Sequence, residues 1–152
     1  MNQRLVGASL PSFRLARLTD EGEQEVPSGS LTGKPTVIEF WATWCPPCRQ
    51  TAATLKALHA EYGDEIRIVP VSRQSTRRLR AHRGKEQLPY SLYRDLEETA
   101  HRALYVSSYP TLVVVGADGQ VESVFLGAGH RSEIGELIDR LLAKSARGES
   151  GR

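Results

Sequence analysis

Phe40-Trp41-Ala42-Thr43-Trp44-Cys45-Pro46-Pro47-Cys48-Arg49 joins two kinds of sequence. Just before it, Thr36-Val37-Ile38-Glu39-Phe40-Trp41 reads as a buried strand, because five of its six residues are β-branched or aromatic. Just after it, Cys48, Ala52, Leu55, Leu58 and Tyr62 recur at helical spacing, and Gly63 stops the run. Pro46 and Pro47 suit the first turn of that helix, where a missing N–H costs nothing. The stretch holds the only two cysteines of the chain, with two residues between them. A strand end fixes the first sulfur, and the partial positive charge of a helix N-terminus favours a thiolate there. The expected chemistry is thiol–disulfide exchange.

Zinc is the rival reading of a Cys-x-x-Cys pair. It needs two further ligands from His59, His82, His101 and His130, and none of these has the spacing that completes a site. No metal and no cofactor beyond the Cys45–Cys48 disulfide is therefore expected. Within the pair, Cys45 lies at or just before the first helical residue and is expected to attack. Cys48, one turn further in and shielded, is expected to resolve the mixed disulfide.

Two more features bear on that chemistry. Glu39 interrupts an apolar strand six residues before Cys45. Either its side chain reaches solvent or a local ion pair, or it is a buried acid with a raised pKa that takes the proton of Cys48. Tyr109-Pro110-Thr111 precedes the apolar run Thr111–Val115. Pro110 is either an ordinary strand-start residue or, given the cysteine pair, a cis-proline facing the disulfide. In the second case the backbone of Tyr109 pairs with an extended client segment. Trp44, Pro46, Tyr109 and Thr111 form the expected client-facing set.

Outward from this centre the chain alternates strands and helices. Phe13 and Leu15 suggest a short strand, and a turn near Asp20-Glu21-Gly22-Glu23 leads to a second ending near Val26. Ile66-Arg67-Ile68-Val69-Pro70-Val71 is a further strand, with Pro70 expected at an edge or bulge. Residues 73–89 carry six basic side chains and one main apolar anchor, Leu79, and read as a solvated amphipathic helix. A partner-docking or nucleic-acid patch is the alternative there, without the interleaved aromatics that would support it. Residues 95–105 suggest a short helix. Val121 to Leu126 pairs back on Thr111–Val115 across Ala117-Asp118-Gly119. Ile134, Leu137, Ile138, Leu141 and Leu142 mark a last amphipathic helix, with Ser132 as candidate N-cap.

A chain of 152 residues is enough for one domain with a sizeable core. The expected domain is 1–152, with its core at 6–143 and a frayed tail at 146–152. A net charge of +2 is too small to imply nucleic acid or a membrane surface. No apolar stretch approaches the ~18 residues of a spanning helix. Met1-Asn2-Gln3-Arg4-Leu5-Val6-Gly7 contains no apolar leader core. The expectation is a cytoplasmic monomer, or an extracytoplasmic protein if an export segment has been removed.

The stretch 40–49 resembles the active site of the thioredoxin superfamily, specifically its TlpA-like and ResA-like branch. Val6-Gly7-Ala8-Ser9-Leu10-Pro11-Ser12-Phe13 resembles that branch's opening Gly-x-x-x-Pro-x-Phe, and Leu31-Thr32-Gly33-Lys34 its Leu-x-Gly-Lys. Tyr109-Pro110-Thr111, Asp118-Gly119 and Gly127 resemble its cis-proline segment, following hairpin and last glycine. The resemblance implies an α/β thioredoxin fold: a central mixed sheet flanked by helices, an added N-terminal hairpin and an insertion near 72–105. It implies reduction of protein disulfides, with protein clients and an upstream thiol electron donor as partners. It also places Glu39 where thioredoxins keep a buried Asp.

Three departures stand out. Thr51 occupies the place where many ResA-like members carry Glu, which argues against an apocytochrome-specific role. Ile68-Val69-Pro70-Val71 lacks the Lys that thioredoxins pair with their buried acid, so Glu39 is expected to titrate higher. Tyr109 is bulkier than the usual residue before the cis-proline, which narrows the set of clients. No Thr-x-x-Cys of the peroxidase type is present. An oxidant or isomerase on the same residues, or a non-catalytic docking or redox-sensing module using the basic segment from Arg73 to Lys85, are the alternatives.

Overall fold

The computed structural model describes residues 2–148. Seven strands form one sheet in the order β2-β1-β5-β4-β3-β6-β7. Their ranges are β1 Arg14–Thr19, β2 Gly22–Pro27, β3 Thr36–Phe40, β4 Arg67–Ser72, β5 Tyr93–Asp95, β6 Thr111–Val115 and β7 Val121–Leu126. Four helices accompany them: α1 Pro46–Tyr62, α2 Thr76–Glu86, α3 Thr99–Ala103 and α4 Arg131–Ala146. β3 runs parallel to β4 and antiparallel to β6. β1–β2 and β6–β7 are antiparallel hairpins, so the sheet is mixed, as expected. The expected tail lies partly outside the described residues; α4 continues to Ala146.

The alternation of the central strands assigns each residue to a face. Val37, Ile68, Leu112 and Val114 pack with Leu55, Leu58 and Tyr62 of α1 and Ile134, Ile138 and Leu141 of α4. Ile38, Phe40, Val69, Val71, Val113 and Val115 pack on the opposite side with Leu5, Phe13, Leu15 and the α3 residues Ala100 and Leu104. Glu39 and Phe40, neighbours in sequence, therefore belong to opposite faces.

The region called an insertion contributes a strand that its sequence does not announce. β5 pairs parallel with β4 through Val71 and Ser72, and antiparallel with β1 through Leu15, Ala16 and Arg17. It joins the N-terminal hairpin to the central sheet. β4 is accordingly an interior strand in unbroken register with β3, against the edge or bulge expected from Pro70. The proline is tolerated because the pairing with β5 begins only at Val71. The expected helix over 95–105 is shorter than its periodicity suggests. Left-handed Glu97 and Glu98, with φ of 54° and 55°, interrupt it, and α3 starts at Thr99. Helix α4 begins at Arg131, with His130 in the N-cap position in place of Ser132. The His130 carbonyl accepts from the N–H of Ile134, and the His130 ring bridges Glu133 and the Leu126 carbonyl.

Helix α2 is capped by Ser75, whose Oγ accepts from the N–H of Arg78 at 3.2 Å. Leu79 is its one buried residue and packs with Leu18, Trp41 and Leu92 near the cysteines. Leu79→Ala is expected to cost about 2–4 kcal/mol of stability in urea denaturation, from lost burial and the cavity left behind. A loss below about 1 kcal/mol would assign the anchoring of α2 to its hydrogen bonds with the hairpin, from Thr76 to Glu23 and from Arg80 to the Thr19 and Gly22 carbonyls.

Candidate active site

The loop between β3 and α1 is held on both sides before it reaches the first cysteine. The N–H of Trp41 donates to the Val71 carbonyl at 3.1 Å, extending the pairing with β4. The Gln74 amide then clamps Thr43: its Oε1 accepts from the Thr43 N–H at 2.9 Å and its Nε2 donates to Thr43 Oγ1 at 3.0 Å. Sequence reasoning missed Gln74, which lies 31 residues from its partner. Cys45 is the N-cap of α1 and Pro46 and Pro47 fill the first positions, as the sequence predicted. Cys45 and Cys48 form a disulfide with Cα atoms 5.4 Å apart.

Exposure does not separate the two cysteines: Cys45 is 5% and Cys48 4% accessible. Their surroundings do. A cavity of about 360 Å³ on the Glu39 side is lined by both cysteines, Glu39, Trp41, His82 and Tyr90. A second groove of about 370 Å³ is lined by Cys45 but not Cys48, together with Trp44, Arg73, His101 and Tyr109. Cys45 thus sits where an inner cavity and an outer groove meet, and Cys48 faces the inner one alone.

Glu39 is a buried acid. It is 3% accessible, shares the face of Val37 beneath α1, and stands in register between Pro70 and Leu112. The strand position opposite it holds a proline, so no cation is delivered from β4. Its Oε2 has no hydrogen-bond partner, nor does the Trp41 Nε1 that lines the same cavity. Burial without a countercharge pushes its pKa up to about 8. A carboxyl group so poised can accept or return a proton near neutral pH.

The Tyr109–Pro110 bond is cis. Trp44 is the exposed wall of the outer groove at 66% accessibility, with its ring centroid 5.9 Å from that of Tyr109. Pro46 is exposed beside the disulfide. Thr111 is fully buried and its hydroxyl donates to the Ser108 carbonyl at 2.8 Å, so its side chain supports the cis-proline loop from within. Behind Tyr109 lies a chain of groups that sequence reasoning did not assemble. Tyr109 Oη is 2.7 Å from His101 Nε2, and His101 Nδ1 is 2.6 Å from Asp95 Oδ2. The available signal was an Asp six residues before a His, too common a pattern to single out.

Among the described residues, no three His, Cys, Asp or Glu side chains gather into a group that could hold a metal. No helix among them is long and apolar enough to cross a membrane.

Comparison with known proteins gives a consistent result. The sequence profile of the AhpC/TSA family matches residues 6–124. The chain is 28% identical over 137 residues to the thioredoxin-like protein YneN of Bacillus subtilis (strain 168), across 88% of this chain and 78% of that one. It is 29% identical over 126 residues to the thiol-disulfide oxidoreductase ResA of Oceanobacillus iheyensis, across 81% of this chain and 66% of that one. A crystal structure of a thiol:disulfide interchange protein of the thioredoxin family from Chlorobium tepidum TLS superposes with a TM-score of 0.71. It covers 90% of this chain and 98% of that one, at 22% identity. The fold is that of thioredoxin, as the resemblance implied.

Proposed function

The chain belongs to the AhpC/TSA family and is similar to a thiol-disulfide oxidoreductase, and from that premise we propose that it reduces protein disulfides through Cys45 and Cys48. The observation that carries this reading is the placement of the pair: Cys45 meets the outer groove, and Cys48 shares its cavity with Glu39.

In the reduced protein the Cys45 thiolate, favoured by the N-terminus of α1, attacks a client disulfide and expels one client thiolate. The client segment lies along the cis-Pro110 loop, pairing with the backbone of Tyr109, against Trp44 and Pro46. Glu39 takes the proton of Cys48. The resulting thiolate attacks the Cys45 sulfur, releases the second client thiol and closes the Cys45–Cys48 disulfide. An upstream thiol donor returns the pair to the dithiol.

The basic segment gives less support to a docking module. Arg80 donates to the carbonyls of Thr19 and Gly22, at 2.8 and 2.6 Å, and Arg73 is paired with Glu98 at 3.0 Å. These contacts commit the two arginines to holding the hairpin and the turn after β5. The reductase reading is tested by insulin reduction with dithiothreitol. Addition of catalytic amounts of the protein is expected to shorten the lag before insulin precipitates. Identical turbidity curves with and without it would reject the reading in favour of docking or sensing.

A further inference from the structure

A buried carboxylate and a buried imidazole are costly, and a fold keeps them only where every polar atom is answered. Asp95, at the end of β5, is 3% accessible. It accepts from the N–H groups of Ala100 at 2.9 Å and His101 at 2.8 Å, from the Thr99 hydroxyl at 3.3 Å, and from His101 Nδ1. Glu97 and Glu98 make this possible. Both adopt the left-handed conformation, which is strained for a residue with a side chain, and turn the chain so that the first N–H groups of α3 fall on the carboxylate. Burial opposes the ionised form, yet the His101 side chain and the two backbone N–H groups hold the Asp95 carboxyl below its usual range.

In a neutral His101 whose Nδ1–H donates to an ionised Asp95, Nε2 is the acceptor that the Tyr109 hydroxyl reaches. The imidazole is also fixed edge-on against Phe40, centroids 4.9 Å apart, on the strand that leads into the disulfide loop. Tyr109 is held at its ring face as well. The Arg73 guanidinium lies 6.0 Å from the ring centroid, and Arg73 is itself paired with Glu98 of the same left-handed turn. One turn therefore secures the hydroxyl of Tyr109 through Asp95 and His101, and its ring through Arg73.

We propose that Asp95 and His101 are positioning residues that lock Tyr109 as a wall of the groove beside Cys45, and so determine which disulfides Cys45 reaches. This rests on the oxidoreductase reading. An apolar filler would close the space beneath the cis-proline loop at less cost. What it would not do is hold a phenol in one orientation 5.9 Å from Trp44, across the groove that contains the attacking sulfur. A groove with fixed aromatic walls accepts an extended peptide disulfide by shape, whereas a small disulfide makes few contacts with them.

The test uses Cys48→Ser protein, in which Cys45 reacts once and stops. Its thiolate attacks a peptide cysteine blocked as the thionitrobenzoate mixed disulfide. The Cys45–peptide bond forms and thionitrobenzoate leaves as the coloured thiolate. The symmetrical dinitrobenzoate disulfide, which releases the same chromophore, is the small-molecule reference. Tyr109→Phe deletes one hydroxyl and is expected to lower the ratio of peptide rate to reference rate about fivefold, the effect of one hydrogen bond. His101→Leu is expected to lower it equally, and the Tyr109→Phe/His101→Leu double variant no further, because both act through one side chain. An unchanged ratio in Tyr109→Phe, which stays informative should His101→Leu not fold, would overturn the proposal. So would losses that multiply in the double variant. Release of chromophore from neither disulfide would overturn the oxidoreductase reading and this inference together.

Discussion

Cys45→Ser is expected to return insulin reduction to the rate of dithiothreitol alone, while Cys48→Ser yields a protein that attacks clients and cannot let them go. The asymmetry follows from the two cavities, since the cysteines are equally hidden. Cys45 is the sulfur that lines the outer groove with Trp44 and Tyr109, and it caps the helix whose N-terminus favours its thiolate. Cys48 lies inside the first turn and faces the cavity of Glu39. Without Cys45 no mixed disulfide forms. Without Cys48 the mixed disulfide has no internal thiolate to resolve it, and it accumulates as a covalent complex visible on a non-reducing gel. Client complexes captured by Cys45→Ser and not by Cys48→Ser would reverse the two roles.

Glu39→Gln is expected to change both the stability and the chemistry of the protein, with opposite consequences. The carboxyl group is buried without a countercharge and titrates at about 8, against 4.5 for its ordinary value. The folded state therefore holds a proton on Glu39 that the unfolded chain has already lost over that whole interval. Stability falls as pH rises from about 4.5 to about 8. At about 1.4 kcal/mol per unit, the cumulative cost above pH 8 is roughly 4–5 kcal/mol. Glutamine is never ionised, so the variant escapes the penalty. Urea denaturation of the oxidised protein should show similar stability for the two at pH 4.5 and a clear advantage for Glu39→Gln at pH 8.5. Parallel curves across this range would mean that Glu39 does not carry the titration. On the proposed mechanism the same variant also loses the carboxylate, present in the ionised fraction of Glu39, that accepts the proton of Cys48. Resolution of the mixed disulfide at pH 7 should slow by roughly 10²-fold, within the usual range for loss of a positioned general base. A more stable protein that releases its clients more slowly is the signature expected of a buried acid kept for chemistry.

The strand, turn and helix around Cys45 were legible because each was signalled by side chains within a few residues of it. β-Branched and aromatic residues marked β3, two prolines marked the first turn of α1, and a glycine with φ of 53° ended it. Glu39 stood out because a carboxylate in an apolar strand conflicts with its surroundings. The groups that escaped notice depend on distant partners. β5 is three residues long and exists because β4 and β1 flank it. Pro70 obeyed the rule that a proline cannot donate to a ladder, but the length of the neighbouring strand, not its place in the sheet, provided the gap. The link from Asp95 through His101 to Tyr109 requires two glutamates in a left-handed conformation that glutamate rarely adopts. Only the folded chain shows that this turn is made.

The reduction potential of the Cys45–Cys48 couple, measured by equilibration against a graded dithiothreitol series, tests the central claim most directly. A reductase is expected near −270 mV or lower, about the value of thioredoxin, so that transfer of electrons to client disulfides is favourable. A potential between about −120 and −180 mV would contradict that account and make the protein an oxidant or isomerase acting through the same two sulfurs.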